Sequence, residues 1–170
     1  MAHTDEERKA LRERLVRDHA RLDQVFEELL AALRADARED VLRLWSLFDD
    51  GLCRHMALED QYLVPELARD EPREAARISR DHSEMREKLA ELGVGIDLHQ
   101  VPAELVNEFI DQLRQHALHE EAIAYRWTER EGSLSTGAQQ KLEAGLREHD
   151  TLRRRLVELG KQARARARGV

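Results

Sequence analysis

Cysteine occurs once in the 170 residues, at Cys53, proline three times, and aromatic side chains make up only 4% of the chain. A single thiol cannot build an internal disulfide framework, so a reducing compartment is the simpler setting. No stretch approaches the roughly 20 apolar residues needed to cross a bilayer. The opening residues, MAHTDEERKALRERL, carry no apolar segment and no signal-like cleavage site. Positive charge is also short. The formal net charge is −7, which gives no long-range attraction for nucleic acid or an anionic membrane. These absences predict a cytoplasmic protein with neither a nucleic-acid nor a membrane partner.

What the chain does have is charge, at 37%, and a usage dominated by Leu, Ala, Glu and Arg, as in helical proteins. Its length suits one domain. Thr4 with Glu7 forms a capping-box pattern that opens a first helix striped by Leu11, Leu15, Leu22, Phe26, Leu29 and Leu33. Asp36 with Glu39 offers a second start, followed by Leu44, Phe48, Leu52, Tyr62 and Leu67 up to about Arg69. Pro72 suits a first helical position, and the stripe Ile78, Met85, Leu89 and Leu92 leads to a stop near Gly93 and Gly95. Pro102 opens a fourth helix through Leu105, Phe109, Leu113, Ile123 and Trp127, ending near Gly132. Ser135 or Thr136 caps a fifth, carrying Leu142, Leu146, Leu152, Leu156 and Leu159.

Short links between long helices imply antiparallel neighbours. The expected fold is all-α, an up-down antiparallel four-helix bundle with an added C-terminal fifth helix. It forms a single domain over 1–170, with a core bundle at about 4–131, the extra helix at about 135–160 and a basic tail at 161–170. Whether the fifth helix mediates a homodimer stays open.

Histidines break this apolar pattern. His19, His55, His82 and His116 each lie on one of the first four stripes, and Glu59 and Glu120 each follow a histidine by four residues. Positions i and i+4 share a helix face, so each His–Glu pair points to one interior place. His82 follows His19 by 63 residues, while His116 and Glu120 follow His55 and Glu59 by 61 each. The chain thus reads as two helix hairpins, each giving one lone His and one His-x-x-x-Glu.

One core histidine is usually structural; four of them with two carboxylates at matching levels point to metal. Buried carboxylates cost several kcal/mol each unless paired with positive charge. Two glutamates among neutral imidazoles lack that charge, and two metal cations would supply it. Nitrogen donors with bridging carboxylates suit iron, manganese or zinc. Ferritin-like sites place Glu three residues before His, where this chain has Val16, Leu52, Ser79, Leu113 and Leu146. No His-Glu-x-x-His of a zinc protease occurs either.

The ordered set RDHARLDQVFEEL, HMALEDQYLVPEL, RDHSEMREKLAEL and HALHEEAIAYRW resembles the four helices of the hemerythrin-like family, the HHE cation-binding domain, over about residues 15–130. The resemblance implies that His19 and His55 bind one iron and His82 and His116 another. Glu59 and Glu120 would bridge the two, with an oxo or hydroxo group between them. Manganese or zinc could substitute for iron. Oxygen-carrying members hold a further histidine one turn from the first on the third helix, where Ile78 and Arg86 stand here. The expected function is a non-haem di-iron protein that binds or reacts with a small diatomic partner, oxygen, nitric oxide or peroxide. Iron or oxygen sensing, iron storage, and enzymatic defence against nitrosative or oxidative stress (or iron–sulfur repair) are the alternatives. Binding is favoured over dedicated catalysis.

His149 has two readings: a fifth ligand, or a packing residue on a helix outside the four-helix core. His119 sits at the edge of the His116 face, as a supporting or surface group. Tyr62 and Tyr125 could each reach the site, but read first as core. Cys53 reads as a small buried residue, and Asp60 and Glu121 as solvated or supporting groups. His3 and His99 receive no role.

Overall fold

The computed structural model describes residues 4–101 and 103–151, and all regular structure among them is helical. Helix α1, Asp5–Arg34, opens on the expected capping box: Thr4 Oγ1 accepts from the Glu7 amide at 3.2 Å, and the Glu7 carboxylate accepts from the Thr4 amide at 2.8 Å. Helix α2, Arg38–Leu58, starts differently from the expectation. Its N-cap is Ala37, which makes no side-chain cap bond, and Asp36 takes a left-handed φ of 51°. The connection must reverse within three residues, and Asp tolerates that conformation better than most side chains. Asp36 therefore makes the turn rather than the cap.

Past Leu58 the helix widens. Pro65 has no N–H to give and its ring would meet the carbonyl four residues back. The chain responds with a π-helical turn, Glu59–Leu63, in which the Val64 amide bonds Glu59 O, five residues back. Helix α3, Val64–Asp70, then completes the rod.

Helix α4, Pro72–Leu98, has Pro72 at its first turn and runs through both glycines at which the sequence suggests a stop. Gly93 and Gly95 serve close packing instead. A Cβ on Gly93 would lie 3.3 Å from the Trp45 ring, and one on Gly95 would lie 2.9 Å from Gln100 O. The helix ends at His99, with φ of 58°, where Gln100 N bonds Gly95 O at 2.8 Å and His99 N bonds Ile96 O at 3.2 Å. Helix α5, Ala103–Ala122, breaks at Ile123, and a short α6, Ala124–Trp127, follows. The continuous fourth helix to Gly132 is thus interrupted. Helix α7 covers 136–151, capped by Ser135, whose Oγ accepts from Ala138 N at 3.3 Å. Its expected continuation from Leu152, the basic tail at 161–170, His3 and Pro102 lie outside the described residues.

The four long rods pack as antiparallel neighbours and bury two apolar clusters. One surrounds Phe26, Phe48 and Phe109, with ring centroids 4.6 Å apart for the first two and 6.1 Å for the last two. The other holds Leu11, Leu15, Leu67, Tyr125 and Trp127, and receives Leu142 and Leu146 from α7. Helix α7 runs antiparallel to α2, with Gly145 against Leu58 and the His149 ring facing Gly51. Between the two clusters lies a polar layer: His55, Glu59, His82, His116 and Glu120 are all buried, both glutamates fully.

Candidate metal centre

The six residues meet in this layer. Helices α1 and α2 bring His19 and His55 together, with Nε2 atoms 3.0 Å apart. Helices α4 and α5 do the same for His82 and His116, at 3.2 Å. Glu59 Oε2 is 3.2 Å from His55 Nε2 and 3.5 Å from His82 Nε2. Glu120 Oε2 is 3.2 Å from both His19 and His116 Nε2, and its Oε1 is 3.4 Å from His82 Nε2. Each carboxylate therefore touches both histidine pairs. Donor atoms of His19, His55, Glu59 and Glu120 converge within 4.8 Å of one another, as do those of His82, His116 and Glu120.

Every imidazole turns Nε2 inward because its Nδ1 is held from outside. His55 Nδ1 donates to Asp18 at 2.9 Å, His82 to Asp60 at 2.7 Å, His116 to Asp81 at 3.3 Å and His19 to Glu121 at 3.2 Å. An ionised carboxylate can only accept, so in the neutral ring these contacts select the Nδ1–H form, with the Nε2 lone pair facing the centre. In each case the carboxylate comes from a different helix than the histidine. Followed around the bundle, the links run from α1 to α2, from the π turn after α2 to α4, from α4 to α5, and from α5 back to α1. The ring closes.

Asp18 and Asp81 immediately precede His19 and His82 in the repeated tripeptide Arg-Asp-His, and each supports the histidine of the next helix. The sequence reading passed over both, and that repeat was the signal that could have found them. Asp60 and Glu121, each directly after a glutamate of the centre, have the supporting role that was one of their two expected readings. Of the two positions one turn from His82, Arg86 pairs with Asp60 Oδ2 at 2.6 Å and Ile78 lies in the apolar cluster.

Tyr125 is the larger surprise. In an unbroken helix residue 125 would sit about 140° around from Glu120. The break at Ile123, with φ −114° and ψ −70°, turns the ring inward. Its hydroxyl donates to Glu59 Oε1 at 2.6 Å and lies 2.9 Å from His19 Nε2. Tyr62, by contrast, is half-buried with the Lys141 ammonium over its ring. His149 reaches only the supporting layer, its Nδ1 3.4 Å from Asp18 Oδ2. His119 pairs with Glu74 at 2.7 Å, His99 bonds its own helix end at Ile96 O, and half-buried Cys53 contacts Asp49. On the side of the layer away from Tyr125, a cavity of about 30 Å³ lies among His19, His55, His116 and the apolar walls of Leu22, Leu52, Met56 and Leu113.

The electrostatics correct one expectation. Burial disfavours charge on His82, but hydrogen bonds to Asp60, Glu120 and Glu59 prevail and hold its pKa up at about 11. Burial likewise opposes protonation of His55 and His19, and is outweighed by Glu59 and Asp18 for the first and by Glu120 and Glu121 for the second. Both end above the usual histidine range. Burial alone would raise Glu59 and Glu120, yet the facing imidazoles hold both below the usual carboxylate range. Burial and the two glutamate charges push the Tyr125 phenol well up. His19, His55 and His82 are therefore drawn toward the protonated form when protein groups alone surround them: the carboxylates let protons supply positive charge, and a metal must replace those protons.

The donor set fits metal ions. Glu59 Oε2 and Glu120 Oε1 are fully buried without a hydrogen-bond partner, although ring nitrogens approach them, so each has a lone pair aimed at the centre. Among the described residues no helix is long and apolar enough to cross a membrane. No curated protein and no solved structure matches the chain. A family model, that of the hemerythrin HHE cation binding domain, matches residues 10–128. That span takes in all six converging residues and most of the chain, so the protein belongs to the hemerythrin HHE cation binding domain family and is a metal-binding protein.

Proposed function

We propose that this chain is a non-haem di-iron protein that binds or reacts with a small diatomic molecule: oxygen, nitric oxide or peroxide. One observation carries the reading. Glu59 and Glu120 each lie within 3.5 Å of ring nitrogens from both histidine pairs, the placement of carboxylates shared between two ions. His19 and His55 would hold one iron, His82 and His116 the other, and the two glutamates would serve both. Iron bound there supplies redox activity and a coordination position open to an exogenous ligand. Asp18, Asp60, Asp81 and Glu121 fix the imidazoles. The cavity of about 30 Å³ matches a molecule the size of water, and leucine and methionine side chains line it beside the imidazoles. That size admits a diatomic and rejects an organic substrate.

Metal analysis of protein purified from iron-replete cells tests the reading. About two iron per chain are expected from six such ligands. One or none after anaerobic reconstitution would overturn it. With two present, rapid consumption of peroxide or nitric oxide would mark an enzyme, and inert stoichiometric binding a sensor or store.

A further inference from the structure

Tyr125 has more partners than a phenol can use. Its oxygen lies 2.6 Å from Glu59 Oε1, 2.9 Å from His19 Nε2, and 3.4 Å from both His55 Nε2 and Glu120 Oε2. A hydroxyl has one proton to donate. In the deprotonated form that can take up metal, all four neighbours present lone pairs: two are carboxylate oxygens, and two are ring nitrogens whose other nitrogen already donates outward to Asp18 or Glu121. One proton can satisfy one or two of them. A cation among them satisfies all.

The distances agree with this. Nitrogen and oxygen donors at adjacent corners around one ion, each bonded at about 2.1 Å, stand roughly 3 Å apart. The separations from the Tyr125 oxygen bracket that value, and so does the 3.0 Å between His19 and His55 Nε2. The backbone points the same way. Between Glu120 and Tyr125 the helix breaks at Ile123, and without that break the ring would not face the layer. Tyr125 is fully buried.

We infer that Tyr125 is a seventh protein donor of the centre, its phenolic oxygen ligating the ion held by His19 and His55. Ligation replaces the hydroxyl proton, now donated to Glu59, with the ion, and that proton leaves to solvent. The two halves of the centre then differ. His19, His55, Glu59, Glu120 and Tyr125 surround one ion. The four partners of the Tyr125 oxygen include both histidines of the first pair and neither of the second.

This inference rests on the di-iron reading, and one experiment separates the two. The full chain is loaded with iron, oxidised to the ferric state, and examined by visible absorption and by resonance Raman excited in the absorption band. Phenolate ligation to ferric iron gives an intense charge-transfer band, with enhanced ring vibrations that move when the protein is grown on ring-deuterated tyrosine. Wild type should show these signals, Tyr62→Phe should keep them, and Tyr125→Phe should lose them while still retaining iron. Iron-loaded wild type without deuterium-sensitive bands would overturn the inference and leave the di-iron reading standing. So would an unchanged spectrum in Tyr125→Phe. A wild type that takes up no iron would overturn both. Should Tyr125→Phe fail to fold, the labelled wild type and Tyr62→Phe still decide, because Tyr62 and Tyr125 are the two tyrosines of the chain.

Discussion

Loading the centre should expel protons, and the structure sets their minimum number. A metal takes the lone pair of a neutral imidazole, so each protonated ring must first lose its proton. His82 is held at about 11, with burial outweighed by Asp60, Glu120 and Glu59, and His55 is also well above its usual range. At pH 7, about four pH units below the His82 value, removing that one proton opposes binding by roughly 5 kcal/mol. Each proton displaced makes the binding constant rise about tenfold per pH unit, so two make it rise roughly a hundredfold. The assay is calorimetric titration of metal-stripped protein with zinc(II), a redox-inert probe, between pH 7 and 8. Buffers of different ionisation enthalpy then give the protons released per ion. At least two protons per filled centre are expected. Release of none, with an affinity flat in pH, would refute the account of the site's charge. Stability follows the same linkage. A raised pKa stabilises fully below the ordinary value of 6.5 and ceases to do so as pH passes about 11. The depressed Glu120 stabilises fully above the ordinary 4.5 and less as pH falls through its lowered value. The stripped chain should therefore be most stable between about 4.5 and 6.5, and its melting gap from the loaded form should widen above that window.

Glu59→Ala and Glu120→Ala should each lose more metal on desalting than any single His→Ala, because each glutamate faces both histidine pairs. In the stripped protein either change leaves imidazolium groups without their buried partner, at a cost of about 3–5 kcal/mol by thermal or denaturant unfolding. A Glu120→Ala protein that keeps both ions and an unchanged spectrum would remove it from the centre. Asp18→Asn, at a buried position that bonds His55, should weaken metal binding about 10- to 100-fold in a chelator competition. His149→Ala, whose contact with the polar layer is Asp18, should change the same affinity far less; an equal loss would make His149 a ligand.

The stripes and the i, i+4 spacing made the rods and the six converging residues legible, because both follow from helical periodicity alone. The supporting carboxylates were harder to see. A residue next in sequence to an inward one points about 100° away, the position of an ordinary solvated acid. Asp18 and Asp81 become partners only because the adjacent helix stands close enough for its histidine to reach them. Once they were missed, the imidazoles looked neutral and the charge of the layer was misjudged. Tyr125 was hidden for another reason. Nothing at Ile123 resembles a helix breaker, since neither proline nor glycine stands there. Pro65 did announce its disturbance, as a π turn that begins at Glu59. Gly93 misled in the opposite direction, because a glycine beneath a tryptophan ring resembles a glycine at a helix end when only the sequence is read.

The closed ring of outer carboxylates explains why the chain repeats itself. If each helix supported its own histidine, the four rods could slide past one another without disturbing the rings. Here Asp18 of α1 holds His55 of α2, Asp60 holds His82 of α4, Asp81 of α4 holds His116 of α5, and Glu121 of α5 holds His19 of α1. A shift of one rod by a single residue, about 1.5 Å, would lengthen and tilt two of these contacts and misdirect two Nε2 atoms. Register and ligand orientation are thus one property. Both hairpins place their acids beside their ligands in the same order, Asp-His on the first helix and His-x-x-x-Glu followed by an acid on the second, and this lets the circuit close on itself. The arrangement couples the ions to the bundle in both directions. Packing of the two apolar clusters sets the level at which the donors meet, and metal held there would stabilise the packing in return.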